Sequence, residues 1–322
     1  MLGVSLLSLA QTASRLSAQT SARQFVLGRL NAGSPEAVAR LNATFEDGLR
    51  ELGYVEGKNL IIERRYAGGQ VQILPELAAQ LVALKPDVIV AGGNREIDAA
   101  MLATKTIPIV MMSAADPVGS GYVASMARPE RNLTGLSTTV DGRNLGKRLQ
   151  LLKDILPELK RVVVLQVTGE SGDGQIAALD RDAKLLGVLL ITVKVDGPQD
   201  VERALASVVE QRPQALYLQG GALLIQYMQQ ICDFTLAHRL PASYVFGEFA
   251  RAGLLVTYGP RFFDRYRRAA YYVDKILRGA SPAELPVEQP SVFEMVLNRK
   301  TAKAIGVTIP RSVLLRADEV IE

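Results

Sequence analysis

The histidine, cysteine and glycine residues of this 322-residue chain exclude several kinds of chemistry. His238 is the only histidine and Cys232 the only cysteine, so a metal site of several histidines or cysteines and an intramolecular disulfide are both excluded. His238 follows a predicted helix, where a surface role at the helix end is expected rather than a Ser-His-Asp triad. The chain has no G-x-x-x-x-G-K-[ST] loop, and Gly28 is followed by Arg29 and Leu30, which breaks the dinucleotide-binding spacing. We therefore expect no catalytic residues, no cofactor and no metal.

A glycine-rich loop in the first half of the chain is suited to anion binding. Gly92, Gly93 and Asn94 follow a predicted strand at 87–91 and precede a predicted helical segment at 95–104. Free backbone N–H groups at the start of a helix can receive a carboxylate or phosphate, and glycine lets the ligand approach the backbone. A tight strand-to-helix turn, in which glycine serves only for its conformational freedom, is the alternative interpretation.

Other candidates follow neighbouring strands of the same half. In an open parallel sheet, ligands bind outside the carboxyl ends of the strands. Ser113 and Asp116 come after a predicted strand at 107–112, and Asp116 can accept a hydrogen bond from a ligand amino or hydroxyl group. It can equally form a turn with the proline that follows it. Asn31 and Ser137, which follow the first and fifth predicted strands, complete the candidates on this edge.

The second half of the chain offers a matching set of polar and aromatic residues at its strand ends. Side chains of these kinds orient small ligands, although loops at strand ends are commonly polar without binding anything. The candidates are Gln166, Gln219, Gly220, Phe246 and Glu248. Their clustering at one edge predicts a second wall of a ligand cleft.

Alternating strands and helices position these loops. Ser34 and Pro35 predict the start of a helix that ends at Gly53. The first five predicted strands are 25–27, 60–63, 87–91, 107–112 and 133–136, and the second five are 161–165, 191–195, 215–218, 242–246 and 254–257. Runs such as 88–90 and 162–165 are apolar on both faces, as in parallel strands covered by helices on either side. We expect an α/β fold with two doubly wound parallel sheets, onto which the final segments pack.

Length and composition agree with a two-domain globular protein. Hydrophobic residues make up 48% and charged residues 22% of the chain, enough apolar material for sizeable cores. The net charge of +4 is spread along the sequence and is not gathered into a basic tract. We therefore expect no nucleic-acid partner.

The first 23 residues differ from the rest. An apolar run at 2–10 is followed by a segment rich in Ser, Thr, Ala and Gln up to residue 22, a pattern typical of an export signal. No Lys or Arg precedes the apolar run, so a disordered tail is the alternative. No other stretch approaches the roughly 20 apolar residues that span a bilayer.

Seven stretches carry a resemblance to a known family. They are GLRELGYVEGKN (48–59), LPELAAQLVALKPDVIVAGG (74–93), ATKTIPIV (103–110), DPVGSG (116–121), LTGLS (133–137), YVDKILRG (272–279) and LPVEQ (285–289). With them, the chain resembles the ABC transporter substrate-binding proteins of the tryptophan- and tyrosine-binding type.

The resemblance implies a periplasmic-binding-protein fold of type I, in which two lobes are joined by three crossovers. These crossovers are expected near 137–141, 257–261 and 283–287. Lobe 1 is expected to comprise 24–139 with 258–284, and lobe 2 to comprise 140–257 with 285–322. The implied function is capture of a small solute, such as an amino acid or another small carboxylate, by a periplasmic monomer that docks on a membrane permease. A ligand sensor of the same fold, not coupled to transport, is the alternative.

The resemblance also favours the loops of residues 92–94 and Asp116 as ligand-facing. It is weaker on the second wall. Many relatives carry a Trp-Asn-Pro-like run where this chain has Leu-Gln-Val-Thr-Gly at 165–169, and Gly247 stands where they often carry Arg. We expect the specificity of the site to depend on this wall.

Overall fold

The computed structural model describes residues 23–138, 143–170 and 173–322. The predicted export signal and most of the first crossover lie outside the described residues. The strands are β1 Phe25–Asn31, β2 Leu60–Tyr66, β3 Val88–Ala91, β4 Ile109–Ala114, β5 Leu133–Ser137, β6 Arg161–Val167, β7 Leu189–Val195, β8 Ala215–Gln219, β9 Ala242–Tyr244, β10 Val256–Pro260, β11 Phe293–Asn298 and β12 Glu319–Ile321. The helices are α1 Pro35–Glu51, α2 Leu74–Ala83, α3 Asn94–Ala103, α4 Arg143–Ile155, α5 Asp173–Leu185, α6 Val201–Glu210, α7 Ala222–Gln226, α8 Met228–Ala237, α9 Gly247–Ala252, α10 Phe262–Leu277, α11 Arg299–Ile305 and α12 Arg311–Leu314.

The first sheet has the strand order β2-β1-β3-β4-β5, and every neighbouring pair is parallel. Its central strand β3 is fully buried and β4 is buried except at Ser113, in agreement with their two-sided apolar sequences. The predicted first helix is confirmed: Ser34 Oγ accepts a hydrogen bond from Ala37 N at 3.2 Å, and the chain leaves the helix through Gly53 in the left-handed region.

The second sheet has the order β12-β11-β10-β9-β8-β6-β7. Strands β6 to β10 are parallel where they pair, and β11 adds one antiparallel pair with β10. The final segments therefore extend this sheet by β11 and β12, which the sequence pattern did not assign to it. His238 ends α8 on the surface, where its Nδ1 lies 2.9 Å from Phe234 O, as predicted for a helix end.

Helix α10 follows β10 in the chain but packs on the first sheet. Arg265 donates to Met112 O of β4 at 3.3 Å, and Tyr54 OH donates to Asp274 Oδ1 at 3.0 Å. Residue Glu288 still pairs with Leu136 of β5 before the chain enters β11. The chain thus passes between the sheets three times, which is the connectivity expected for a periplasmic-binding-protein fold. None of the helices in the described residues has the length and apolar character required to cross a membrane.

Candidate functional site

The main cleft lies between the two sheets, at the carboxyl ends of their parallel strands. Its empty volume, including open solvent, is about 920 Å³. It is lined from the first sheet by residues at or just after the carboxyl ends of β1, β3 and β4, and from the second by residues at or just after the carboxyl ends of β6, β8 and β9. This is the edge at which open α/β sheets bind ligands.

The structure brings most of the predicted site residues to this cleft. Those that line it are Asn31, Gly92, Gly93, Asn94, Ser113, Gln219, Gly220 and Phe246. The remaining four do not: Asp116, Ser137, Gln166 and Glu248 lie outside its lining. Lining the cleft does not establish a contact with a ligand, so the assignment of individual residues stays a prediction.

Local structure explains the positions of these four. Asp116 has a φ of 50° and accepts a hydrogen bond from Gly119 N at 3.0 Å, the turn that was its alternative interpretation. Ser137 is buried at the end of β5, and Gln166 stands within β6 between β7 and β8. Glu248 lines a separate cavity beside the main cleft.

The glycine loop binds an anion of the protein itself. Glu96, one turn into α3, accepts hydrogen bonds from Gly93 N and Ala32 N, both at 3.1 Å. A Cβ at Gly92 would lie 2.6 Å from Glu96 Oε1, so a side chain here would displace the Glu96 carboxylate from its present position. The Glu96 carboxylate therefore uses the Gly93 amide that was predicted to be free for a ligand carboxylate or phosphate.

Asn94 fixes the neighbouring loop. Its Nδ2 donates to Ala115 O at 3.0 Å, and its Oδ1 accepts from Ala115 N at 2.8 Å. Tyr122 OH also donates to Asn94 O at 3.3 Å. Because both ends of the Asn94 amide are bonded to the backbone of one residue, Ala115, this side chain holds the loop after β4 against the start of α3.

Arg29 is a buried cation in the cleft wall on the side of the first sheet. It is 2% exposed on β1, and its Nη1 donates to Leu30 O at 2.9 Å and Val90 O at 3.2 Å. Its Nε is buried without a hydrogen-bond partner among the described residues. Burial lowers the pKa of Arg29, while the nearby Tyr266 and Glu96 oppose that effect.

Arg148 is its counterpart on the side of the second sheet. It is also 2% exposed, and it donates from Nη1 to Leu218 O at 3.0 Å and from Nη2 to Gln219 Oε1 at 2.9 Å. Its guanidinium lies over the Tyr217 ring at 4.1 Å, and its Nε has no hydrogen-bond partner in the part of the chain that the structure describes. Burial lowers the pKa of Arg148. Among the described residues Arg148 has no carboxylate partner, whereas Arg29 lies near the Glu96 carboxylate without forming an ion pair with it. A buried charge without such compensation is costly.

Glu170 supplies a buried acid between the two walls. Its Oε2 lies 3.6 Å from where a Cβ on Gly93 would stand and 2.7 Å from where one on Gly221 would stand. The carboxyl is 8% exposed, and it accepts no hydrogen bond from any residue that the structure describes. Burial, reinforced by the negative charge of Glu96, raises the pKa of Glu170 to about 8.

Aromatic and apolar side chains form the rest of the wall. Phe246, which follows β9, stacks on Phe262, which begins α10, with ring centroids 3.7 Å apart and an interplanar angle of 28°. Tyr244 OH donates to Gly220 O at 2.7 Å, and burial raises the pKa of Tyr266 to about 12. The cleft thus combines charged groups with a broad apolar surface, which is typical of sites for small organic solutes.

Two contacts join the walls across the mouth of the cleft. Arg95 on α3 donates from Nε to Thr168 O after β6 at 3.0 Å. A Cβ on Gly69 would lie 2.5 Å from Pro198 Cγ, so the loops that follow β2 and β7 are in close contact. The cleft is therefore closed.

Several of these groups carried a weak signal in the sequence. Arg29 is a charged residue within an otherwise apolar strand, and Arg148 shares the buried face of α4 with Leu145 and Leu149. A charge at such a position is expensive unless it serves a ligand or a specific partner. Glu170 lies in a loop that has no comparable pattern.

Comparison with known proteins agrees with this architecture. The chain is 27% identical over 262 residues to a tyrosine-binding protein of Clostridioides difficile, which covers 81% of this chain and 75% of that protein. A conserved domain protein of Vibrio cholerae superposes with a TM-score of 0.84 at 27% identity, over 92% of this chain and 100% of that one. An ABC domain of Streptococcus pneumoniae in complex with L-Trp superposes with a TM-score of 0.83 at 23% identity, over the same shares.

The family model for ABC transporter substrate-binding proteins matches residues 34–321, nearly the whole described chain. Proteins of this family bind solutes, and the family is not a class of enzymes. With its two sheets, three crossings and closed cleft, the chain belongs to the ABC transporter substrate-binding protein family.

Proposed function

We propose that this chain is the solute-binding component of a bacterial ABC importer and that its solute is an α-amino acid. The observation that carries the amino-acid assignment is the charge arrangement of the cleft. Among the described residues, Glu170 is a buried acid that accepts no hydrogen bond, and the same cleft holds two buried guanidinium groups that form no ion pair with a carboxylate. A zwitterion satisfies both kinds of group at once.

The ammonium group of the solute is assigned to Glu170. An ammonium beside this carboxyl favours its ionised form and removes the cost of an unpaired buried charge. Glu96 is a poorer candidate because both of its oxygens already accept backbone hydrogen bonds.

The carboxylate of the solute is assigned to the donors that remain. Besides Arg29 and Arg148, the Nδ2 of Asn31 and the Nε2 of Gln175 are buried in the cleft wall and have no hydrogen-bond partner within the described ranges. Hydrogen bonds between such donors and a carboxylate are charge-assisted and contribute about 1.5–3 kcal/mol each.

Closure couples binding to transport in this proposal. The predicted lobes are 24–139 with 258–284 and 140–257 with 285–322. Two observations favour small shifts of these boundaries: β10 of the second sheet extends to Pro260, and Glu288 pairs with Leu136 of the first sheet. Arg29 belongs to lobe 1 and Arg148 to lobe 2, so a ligand that contacts both stabilises the closed form. The closed protein then docks on a permease from the periplasmic side.

A thermal-shift panel of the twenty L-amino acids, with sugars and dicarboxylates as comparison ligands, tests the assignment. A ligand at 100 times its Kd stabilises the folded protein by about 2.7 kcal/mol, which raises Tm by roughly 5 °C in a protein of this size. We expect at least one amino acid to reach this shift. A shift with sugars or dicarboxylates and with none of the amino acids would refute the proposal.

A further inference from the structure

A further cavity lies where the chain crosses between the two sheets. Its empty volume, including open solvent, is about 600 Å³. Leu136, near the end of β5, forms one side of it. The other sides are formed by Pro260 and Arg261, at the passage from β10 to α10, and by residues 288–292, which lead from the first sheet into β11. Because it is lined by the second and third crossings, we refer to this space as the hinge cavity.

Helix α10 has the main cleft on one face and the hinge cavity on another. Phe262 and Tyr266 line the main cleft. Arg261, Arg265 and Arg268 line the hinge cavity, and their spacing of four and then three residues places them on one face of the helix. None of the described residues lines both spaces, so the hinge cavity is separate from the site of the solute.

Arg265 is a buried cation of the hinge cavity. It is 6% exposed, and the only hydrogen bond that its side chain makes to a described residue runs from Nη2 to Met112 O, at 3.3 Å. Its Nε is buried and has no partner in the same part of the chain. Burial lowers the pKa of Arg265 to about 10, although the nearby Tyr266 and Glu288 oppose that effect. Because a guanidinium carries five N–H donors, most of those on Arg265 are left for a ligand.

The other charged groups of the hinge cavity leave this buried charge without an ion pair. Glu288 accepts a hydrogen bond from Arg268 Nε at 2.9 Å, and Asp264 is exposed. Arg261 Nε lies 3.8 Å from Glu294 Oε2, and its side chain is 55% exposed. Exposed ion pairs contribute little to stability, so these two arginines can turn to a ligand at small cost. Three guanidinium groups and two carboxylates line the cavity, a balance that favours an anion.

Hydrogen-bond donors stand on more than one side of the hinge cavity. Opposite the arginines of α10, Gln289 and Ser291 line it from the segment that enters β11. A side-chain amide and a hydroxyl can both donate to an anion. A tetrahedral oxyanion directs its oxygens toward several walls, whereas a planar carboxylate matches a single guanidinium fork. The arrangement therefore suits a phosphate-type anion better than a monocarboxylate.

We propose that the hinge cavity is a binding site for a small tetrahedral oxyanion of the phosphate type. Arg265 and Arg261 hold the anion from one side, and Gln289 and Ser291 donate to it from the other. The bound anion contacts the segments whose backbone turns when the lobes move. The inference goes beyond the proposed function and does not depend on the amino-acid assignment, because the two sites share no described residue.

Isothermal titration of inorganic phosphate into the ligand-free full chain, at pH 7 and fixed ionic strength, tests the site. We expect saturable phosphate binding by the wild-type protein and acetate binding that is weaker by roughly tenfold or more. Arg265→Met is expected to weaken phosphate binding by roughly tenfold or more, because it removes charge-assisted hydrogen bonds from a buried guanidinium. Arg267→Met is the matched control. It removes the same charge from α10 at an exposed position that pairs with Glu51 and lines neither space, and it should keep the wild-type affinity within about twofold.

A second variant keeps the test informative if Arg265→Met folds poorly. Arg261 lines the same cavity with an exposed side chain, so Arg261→Gln should fold and should weaken phosphate binding by about threefold or more. Absence of saturable phosphate binding by the wild-type protein, or acetate binding as tight as that of phosphate, would overturn the proposal. Equal phosphate affinity in the wild type, Arg265→Met and Arg261→Gln would also overturn it, since the ion would then bind outside the hinge cavity.

Discussion

Replacing Glu170 by glutamine is expected to change how the stability of the fold depends on pH. Burial and the Glu96 charge raise the pKa of Glu170 from 4.5 to about 8 in the folded protein. Between these values the folded state keeps a proton that the unfolded state has lost, so stability falls as pH rises from about 4.5 to 8 and then levels off. Glutamine does not titrate, and Glu170→Gln removes this contribution.

The size of the effect follows from the same values. A tenfold change in proton affinity corresponds to about 1.4 kcal/mol, so a pKa raised from 4.5 to about 8 makes ionised Glu170 cost roughly 5 kcal/mol at most. Relaxation of the closed cleft reduces this, and we expect Glu170→Gln to gain about 2–5 kcal/mol relative to wild type between pH 4.5 and pH 8.5.

Urea unfolding of the ligand-free protein at several pH values measures this difference. Glu202→Gln, at an exposed position on α6, is the matched control and should follow the wild-type pH dependence. If Glu170→Gln and wild type differ by the same free energy at pH 4.5 and pH 8.5, then Glu170 is not a buried acid with a raised pKa, and its role toward an ammonium group loses its basis.

Three further predictions concern the cleft. At pH 7, binding of an amino acid should release close to one proton, because Glu170, with a pKa of about 8, loses its proton when it pairs with the ammonium group. Titration calorimetry in buffers of different ionisation enthalpy measures the number of protons released. Binding without proton release would contradict the pairing. Gly92→Val should lower Tm by several degrees through its clash with Glu96, whereas a Tm equal to wild type would show that the loop can relax freely. Arg95→Ala should weaken ligand binding severalfold, because it removes the hydrogen bond from Arg95 to Thr168 O between the two walls of the cleft. Unchanged affinity together with an unchanged radius of gyration in solution scattering would exclude a role of Arg95 in closure.

Hydrophobic pattern alone predicted the two-sheet architecture well. Runs that are apolar on both faces, such as that of β3, have few other ways to be buried, and the Ser34-Pro35 helix start is a local signal. Strand β11 was harder to assign because its antiparallel pairing with β10 depends on a connection through the other lobe.

Eight of the twelve predicted site residues line the cleft, but the sequence did not predict the electrostatics of its walls. Gly92 and Gly93 were interpreted as a loop that could bind a ligand anion, yet the anion that the Gly93 amide binds is the Glu96 carboxylate. This contact depends on how the backbone folds between Gly93 and Glu96. Arg29 and Arg148 come to the same cleft only after both sheets have formed. Side chains that converge from distant segments leave no spacing in the sequence, and so their roles emerge only from the tertiary structure.

The central claim is that the cleft captures a zwitterion. Isothermal titration of the wild-type protein with L-tyrosine, with tyramine and with 3-(4-hydroxyphenyl)propionate tests it most directly, since the two analogues lack the carboxylate and the ammonium group respectively. We predict that L-tyrosine binds at least tenfold more tightly than either analogue, because each lost group leaves buried polar groups of the cleft without a ligand partner. Equal binding of all three compounds, or tighter binding of either analogue, would contradict the account.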